Sequence, residues 1–408
     1  MNEERRLTTR QAAELLGVKP ATVYAYVSRG QLTSRRDPVG RGSSFDAREV
    51  EALARRNRRE AATPTGELSV RTSLTLIERD RYYFRGVDAV ALASRYAYEE
   101  VAEWLWTGAL PHGARFAAPA EPLAAARRAV AALPEHSGPV DRLRVAVAAA
   151  AVADPLRFDL SEEAVLGSAR CLIPTLVGAL PEAGPAAWAG DGRMARQLWA
   201  RLTACEPDPD ALAVLDLALG LLVDHDLAAS TLAVRVAASA RAHPYAAVSA
   251  GLGALEGPLH GAAGRLAHRM LAEVLERGGA APVVAEYLRA GRRVPGLGHR
   301  LYKGGDPRAQ ALFARLDDLP QAGPALGAAR EVAEVMARQG GGLHANVDLA
   351  LAVLTVACGM PAEAGETVFA VARTAGWIAH ALEEYQERPL RMRPSGEYHG
   401  PRPPQPMP

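Results

Sequence analysis

The spacing of apolar and polar residues changes character along the chain. Near the start, Ala12, Leu15 and Leu16 supply the apolar face of a short helix that Gly17 ends. Thr8 and Thr9 stand before it, and Gln11, three residues after Thr8, completes a capping-box pattern. Pro20 suits the first turn of a second helix, which runs to about Arg29 and stops at Gly30. In that helix Val23 and Val27 face inward, leaving Thr22, Tyr24, Tyr26 and Arg29 to point outward. Arg35, Arg36 and Arg41, around Pro38 and two glycines, predict a hairpin, and Asp46 with Glu49 opens a third helix through about Arg59. From Glu67 the alternation of Leu68, Val70, Leu74 and Leu76 predicts a strand, and an amphipathic helix begins at about Asp88. After a loop-rich stretch from Pro111 to Pro122, Ala- and Leu-rich helical periodicity dominates to about Arg388, so the fold class is mostly α.

Composition narrows the reading. The 408 residues carry 47 Lys and Arg against 46 Asp and Glu, which rules out a uniformly basic nucleic-acid coat. The balance is local, however. Residues 1–60 hold 13 basic and 8 acidic side chains, a net of +5, whereas the remainder is slightly acidic. The small, Pro- and Gly-broken stretch over 61–66 between them reads as a linker, and the Pro-rich end from Pro401 as a frayed tail. Cys171, Cys205 and Cys358 are odd in number and far apart, which argues against a disulfide framework or a cysteine metal site. The apolar runs Leu217 to Val223 and Leu349 to Met360 fall short of the roughly 18 residues of a membrane span. The N-terminus has no apolar signal core, so a soluble cytoplasmic protein without a membrane partner is expected.

Polar breaks in the helical body cluster around histidines. Asp224-His225-Asp226 follows an apolar run, and Gly257-Pro258-Leu259-His260-Gly261 sets a His among residues that end a helix and permit close backbone approach. Pro295-Gly296-Leu297-Gly298-His299-Arg300 is a glycine-rich loop with a His and an Arg at its exit, followed by Asp306-Pro307-Arg308. Asn346-Val347-Asp348 places an acid at the mouth of the apolar run from Leu349, where burial raises a carboxylate's pKa. Taken singly, His225 and His260 read as structural histidines, the glycines as turns, Asp348 as a helix N-cap and each arginine as a surface charge. As a set they predict one site. No HExxH and no His pair at ligand spacing occur, so no metal is expected.

Leu7 to Leu32 resembles the winged helix-turn-helix domains of the excisionase and MerR type. In those, the second helix enters the major groove and the wing meets the backbone, with Lys and Arg supplying a salt-dependent phosphate contact. The resemblance implies that residues 1–60 bind DNA. A helical module used for protein contacts is the other reading.

The ordered set in the body resembles the citrate synthase family. The resemblance spans most of residues 67–400 and includes Tyr83-Phe84-Arg85-Gly86-Val87-Asp88, the His-bearing breaks, Asn346-Val347-Asp348, Phe369 to Arg373 and Arg393-Pro394. It implies a large helical domain from 67–256 and 341–408 with a smaller one over 257–340. It also implies condensation of acetyl-CoA with oxaloacetate, followed by thioester hydrolysis. The thioester is a substrate, and no cofactor is expected. By the resemblance Asp348 takes the methyl proton, His260 steadies the enol oxygen and His299 polarises the ketone. His225, Arg308, Arg373 and Arg393 hold oxaloacetate, Arg393 reaching in from the second subunit of a homodimer. Leu259 and Gly261 flank the thioester, and Pro295, Gly296 and Gly298 line the adenine pocket. Arg300 and Lys303 stay open between a surface charge and a place near the CoA phosphates.

The sequence departs from the family pattern at Asp226, Ala228, Ala262 and Gly264, beside the reacting groups. Propionyl-CoA is the alternative acyl donor, because one methylene changes binding by only about 1–3 kcal/mol. A DNA-binding regulator that senses oxaloacetate or an acyl-CoA without turnover is the alternative of another class.

Overall fold

The computed structural model describes residues 6–16, 18–28, 31–36, 43–51, 53, 70–257, 260–339, 342–395 and 399–400. The chain divides into two compact units, residues 1–71 and 72–408. The expected linker over 61–66, the helix ends at Gly17, Arg29, Gly30 and Arg59, the wing positions Pro38 and Arg41, Leu68, and the tail from Pro401 lie outside the described residues.

In the first unit, strand β1 (Arg6–Thr8) leads into α1 (Thr9–Leu16), and α2 (Pro20–Ser28) follows. The capping box forms: the Thr8 N–H donates to Gln11 Oε1 at 2.9 Å, and the Gln11 N–H to Thr8 Oγ1 at 3.3 Å. Strands β2 (Ser34–Arg36) and β3 (Ser43–Asp46) pair antiparallel, and β1 joins the other edge of β3. Asp46 accepts the Arg48 N–H at 2.7 Å and starts a helical stretch over residues 47–51.

Three details differ from expectation. Ala12 is buried as expected, but Leu15 is exposed and Ala13 is buried in its place. Tyr26 packs against the small core rather than pointing out. Glu49 does not close a capping box; its carboxylate accepts the N–H and hydroxyl of Thr33.

The second unit opens with an antiparallel meander, β4 (Thr75–Glu78), β5 (Arg81–Phe84) and β6 (Val87–Asp88). The first strand is shorter than the alternation predicts. Val70 and Leu74 precede it, Leu74 sinks into the core, and Leu76 faces outward. Helices then dominate: α3 (Ala89–Ala93), α4 (Tyr98–Thr107), α5 (Ala120–Ala131), α6 (Pro139–Ala153), α7 (Glu162–Ala179), α8 (Met194–Leu202) and α9 (Pro209–Leu222). They continue as α10 (Ala229–Ser239), α11 (Pro244–Leu255), α12 (Ala262–Arg277), α13 (Ala280–Arg289), α14 (Pro307–Leu316), α15 (Gly323–Arg338), α16 (Val347–Ala357) and α17 (Ala364–Tyr385). Asp88 caps α3 by accepting the Ala91 N–H at 2.9 Å. Pro122 lies in the first turn of α5, where the missing N–H costs nothing, so the loop after Pro111 ends earlier than expected.

One apolar cluster runs through the whole unit, and α17 is its spine: 19 of its 22 residues are buried. A helix buried all round needs small residues where other chain segments cross it. Gly376 is such a point. A Cβ there would lie 2.1 Å from the Val223 carbonyl oxygen and 3.0 Å from Asp224 Oδ1, inside any van der Waals contact. Replacing it therefore pushes α17 away from the segment that carries His225. Gly376→Ala should cost about 2–3 kcal/mol. Urea denaturation followed by tryptophan fluorescence reads this out, since all five tryptophans lie in this unit; an unshifted midpoint contradicts the packing described.

Candidate active site

Each polar break in the helical pattern becomes a loop or helix start that faces one cavity of about 220 Å³. Its lining includes His225, His260, Gly261, His299, Arg308, Asp348 and Arg373, seven of the residues predicted from sequence. Glu366 and Phe369 line it as well. His225 sits between α9 and α10, where Asp226 takes a positive φ of 56°. His260 precedes Gly261, the N-cap of α12, and Arg308 lies in the first turn of α14.

The glycine-rich loop joins two of these elements. The Gly298 N–H donates to the His344 carbonyl at 2.7 Å, and the Asn346 N–H donates to the Gly296 carbonyl at 2.9 Å. Asn346 Nδ2 adds a bond to the Gly298 carbonyl at 2.9 Å. Both glycines have φ of +79°, and a Cβ on Gly296 would lie 2.7 Å from Leu349 Cβ, so the loop lies flat on the start of α16 only because it lacks side chains there. His299 and Asp348 are thereby held on adjoining segments. Pro295, Gly296 and Gly298 do not line the cavity; they form its outer support. Leu259 and Pro258 lie outside the described residues. Arg393 is exposed and does not reach the cavity.

Asp348 is not the N-cap of α16. Asn346 is, its side chain accepting the Asp348 N–H at 3.0 Å. The capping duty falls two residues upstream, and the carboxylate is left to face the cavity. Desolvation raises its pKa to about 6, against the opposing pull of Arg308.

The imidazoles shift the other way. Desolvation, reinforced by Arg308 and Arg373, holds His225 well below the usual histidine range. Desolvation and Arg373 lower His260, and desolvation and Arg308 lower His299, so all three rings are neutral near pH 7. The Leu301 N–H donates to His299 Nδ1 at 3.1 Å, which leaves the ring proton on Nε2. His225 Nε2 bonds the Tyr302 hydroxyl at 2.6 Å, and its ring lies edge-on to His299 at 5.2 Å. Ser230 Oγ lies 2.8 Å from His260 Nε2.

Two guanidinium groups form the floor. Arg308, 3% exposed, is gripped by Asp306 through two parallel bonds of 2.9 and 2.8 Å. Although desolvation works against the charged form, Asp306 raises the pKa of Arg308 above its ordinary value. Arg373, 1% exposed, donates Nε–H to the Leu222 carbonyl at 2.9 Å and stacks over Phe369 at 4.5 Å. Desolvation, only partly offset by Asp224, lowers it to about 10, so it remains charged. The floor is thus a cationic cup whose free N–H edges suit carboxylates.

Sequence reasoning quoted Asp306 without giving it a role, and gave none to Ser230 or Glu366. Asp306-Pro307 carried a readable signal, an acid before proline at a helix start. Ser230, in the first turn of α10, and Glu366, in an unbroken helix, carried none. Among the described residues no group of three or more His, Cys, Asp or Glu could hold a metal ion, and no helix is long and apolar enough to cross a membrane.

Comparison with known proteins agrees with this geometry. Residues 64–395 match the family model described as citrate synthase, C-terminal domain, and residues 6–58 match a helix-turn-helix domain. The citrate synthase of Haloferax volcanii is 33% identical over 364 residues, covering 82% of this chain and 94% of its own. The crystal structure of citrate synthase from Thermotoga maritima superposes with a TM-score of 0.66 at 27% identity, covering 84% of this chain and 96% of that one. A ternary complex of citrate synthase from the archaeon Thermoplasma acidophilum with carboxymethyl coenzyme A and oxaloacetate shares the fold at 24% identity. Its TM-score is 0.65, over 86% of this chain and 98% of that one.

The Asp348 shift has a consequence for stability. An acid with a folded pKa of about 6 and an unfolded value near 3.8 keeps its proton in the native state alone between those pH values. Stability therefore falls as pH rises through that window, and the ionised group costs about 2–3 kcal/mol at pH 7. Asp348→Asn should raise the urea midpoint at pH 7–8, with the gain vanishing below about pH 4. An equal gain at pH 3.5 and pH 7.5 would rule out this burial effect.

Proposed function

The chain belongs to the citrate synthase family, and from that premise we propose that it joins the methyl carbon of acetyl-CoA to the ketone carbon of oxaloacetate and then hydrolyses the thioester, giving citrate and CoA. One observation carries the reading: a carboxylate of raised pKa, neutral imidazoles and two buried guanidinium groups share one cavity.

A thioester's methyl proton is a very weak acid, so its removal needs a base and simultaneous stabilisation of the enol oxygen. Asp348, desolvated and freed from capping, takes that proton. With the Ser230 hydroxyl donating to Nε2, His260 keeps its proton on Nδ1 and offers it to the enol oxygen. The enol carbon attacks the oxaloacetate ketone, whose oxygen takes its hydrogen bond from His299 Nε2–H. Arg308, Arg373 and His225 hold the oxaloacetate carboxylates, and Arg393 completes the clamp from a second subunit. Water then attacks the citryl thioester carbonyl, and CoA leaves as the thiol. Leu259 and Gly261 flank the thioester, and the backbone of Pro295, Gly296 and Gly298 lies along the adenine. Residues 257–340 act as the smaller domain that closes over the substrates and excludes water.

Asp348→Ala should reduce oxaloacetate-dependent thiol release from acetyl-CoA by about a thousandfold. Oxaloacetate binding, measured by calorimetry, should persist, because the arginine clamp is untouched. Wild-type turnover in the variant excludes Asp348 as the base. A wild-type chain that binds oxaloacetate but releases no thiol is a sensor rather than an enzyme.

The first unit supports a second role. Its helix pair and antiparallel strands, with a net charge of +5 over residues 1–60, fit a duplex-binding module. Tyr24 on α2 and Arg35 on β2 are exposed for it. The full chain should bind a random 30-base-pair duplex with an affinity that falls steeply with salt. Arg35→Ala should flatten the slope of log affinity against log salt by about one and leave thiol release unchanged. No binding at 50 mM salt excludes the DNA reading.

A further inference from the structure

The mechanism leaves one acid of the cavity without a task. Glu366, Phe369 and Arg373 occupy positions i, i+3 and i+7 of α17 and all line the cavity. At 1.5 Å per residue, Glu366 lies about 10 Å along the helix from the guanidinium end. It stands at the opposite pole from the ketoacid cup. The side chain is only 8% exposed, yet it makes no hydrogen bond or ion pair with any described residue. Desolvation raises the Glu366 pKa and outweighs the opposing pull of Arg265 on α12.

The surroundings of this acid say what it faces. Beside it lie Gly261, Gly264 and Gly365, with Leu255 packed behind Gly261. A Cβ on Gly264 would lie 3.7 Å from Asp348 Oδ1 and 3.7 Å from the Glu366 backbone nitrogen. A Cβ on Gly261, next to His260, would lie 2.8 Å from Glu366 Oε1. The carbon that gives its proton to Asp348 therefore lies in a recess whose floor is glycine and whose far side is this carboxylate. The missing side chains mark close packing rather than free volume, since a Cβ on Gly261 would also lie 2.3 Å from the Leu255 carbonyl oxygen and one on Gly365 3.8 Å from Leu351 Cβ. The Glu366 side chain, which lines the cavity, is therefore the group that bounds the recess beyond Asp348.

We infer that Glu366 is a specificity-determining residue that restricts the acyl thioester to acetyl. The inference deepens the proposed function and rests on it. A methyl group reaches Asp348 beside Gly264 without pressing on the Glu366 carboxylate. The second carbon of a propionyl group desolvates that carboxylate and gives it nothing to bond in return, so a methylene that would gain binding in an apolar recess loses it here.

The test compares kcat/KM for acetyl-CoA and propionyl-CoA, each with oxaloacetate, in the wild type, Glu366→Gln and Glu366→Ala. The wild type should favour acetyl-CoA by at least tenfold. Glu366→Gln, which keeps the shape and removes the charge, should lower that ratio at least threefold. Glu366→Ala should lower it at least tenfold through faster use of propionyl-CoA, with acetyl-CoA use changed less. A ratio unmoved by either substitution, or a wild type that prefers propionyl-CoA, overturns the inference and leaves the proposed function standing. Equal loss of both activities in the isosteric Gln variant also overturns it, because the carboxylate then serves the chemistry rather than the choice. A wild type that turns over neither thioester removes the proposed function, and the inference falls with it.

Discussion

The burial of two guanidinium groups at one end of a helical core constrains everything around the cavity. An isolated cation in a protein interior is very costly, so each must be compensated nearby. The two are compensated differently. Arg308 is gripped by Asp306 through a two-pronged pair, and Asp306 also accepts the Val347 N–H at 3.0 Å. One carboxylate thus neutralises the cation, caps α14 and ties that helix to the start of α16. Arg373 has no such partner. It leans on a carbonyl and an aromatic face, while the nearby Asp224 bonds Thr75 and the buried His380. The floor keeps a net positive character, and that residual field is what the rest of the site responds to.

The response runs in one direction for bases and in the other for the acid, from a single dominant cause. Desolvation penalises the charged form of every group. For the histidines the positive floor adds to it, and the rings are neutral. For Asp348 the floor opposes it, and desolvation still wins, leaving the acid near 6. The same burial therefore yields neutral hydrogen-bond donors and a carboxylate more basic than one in water. Neither condition needs a residue tuned for it alone, provided the helix starts are capped by others. Asn346 and Asp306 do that capping, which leaves Asp348 and the arginines free to face the cavity.

Much of this was legible in the chain because helix breaks are costly and therefore informative. The glycine-rich loop, the Asp-Pro start of α14 and the Asn-Val-Asp entry to α16 all interrupt apolar periodicity, and all three turn toward the cavity or support its wall. The capping of α1 by Thr8 and Gln11 was equally readable, since it is written within four residues. What depends on distant packing was not. Leu15 faces solvent and Tyr26 packs on the small core because that core gathers residues from β1, α1, α2, β3 and the stretch after it, well beyond either helix. Glu49 bonds Thr33, sixteen residues away, rather than its local cap. Glu366 escaped notice for the opposite reason to His260: it sits inside a continuous helix, and only the approach of Gly261 and Gly264 makes its environment unusual.

The cavity is polar at both ends, with unlike signs, and this asymmetry orders its contents. A dianion placed against Arg308 and Arg373 relieves the mutual repulsion that lowers Arg373 and replaces lost hydration with charge-assisted bonds. The same dianion placed at the Glu366 end would meet an unpaired acid. On the proposed reading a neutral thioester has the opposite preference: it gains nothing from the cup and lies in the glycine-walled recess, with Asp348 and His260 bracketing its reacting carbon and oxygen. On the proposed reading the two substrates are thus sorted by charge before any shape is matched. The helix spaces Arg373 and Glu366 by two turns, which separates the cationic cup from the acidic end of the cavity.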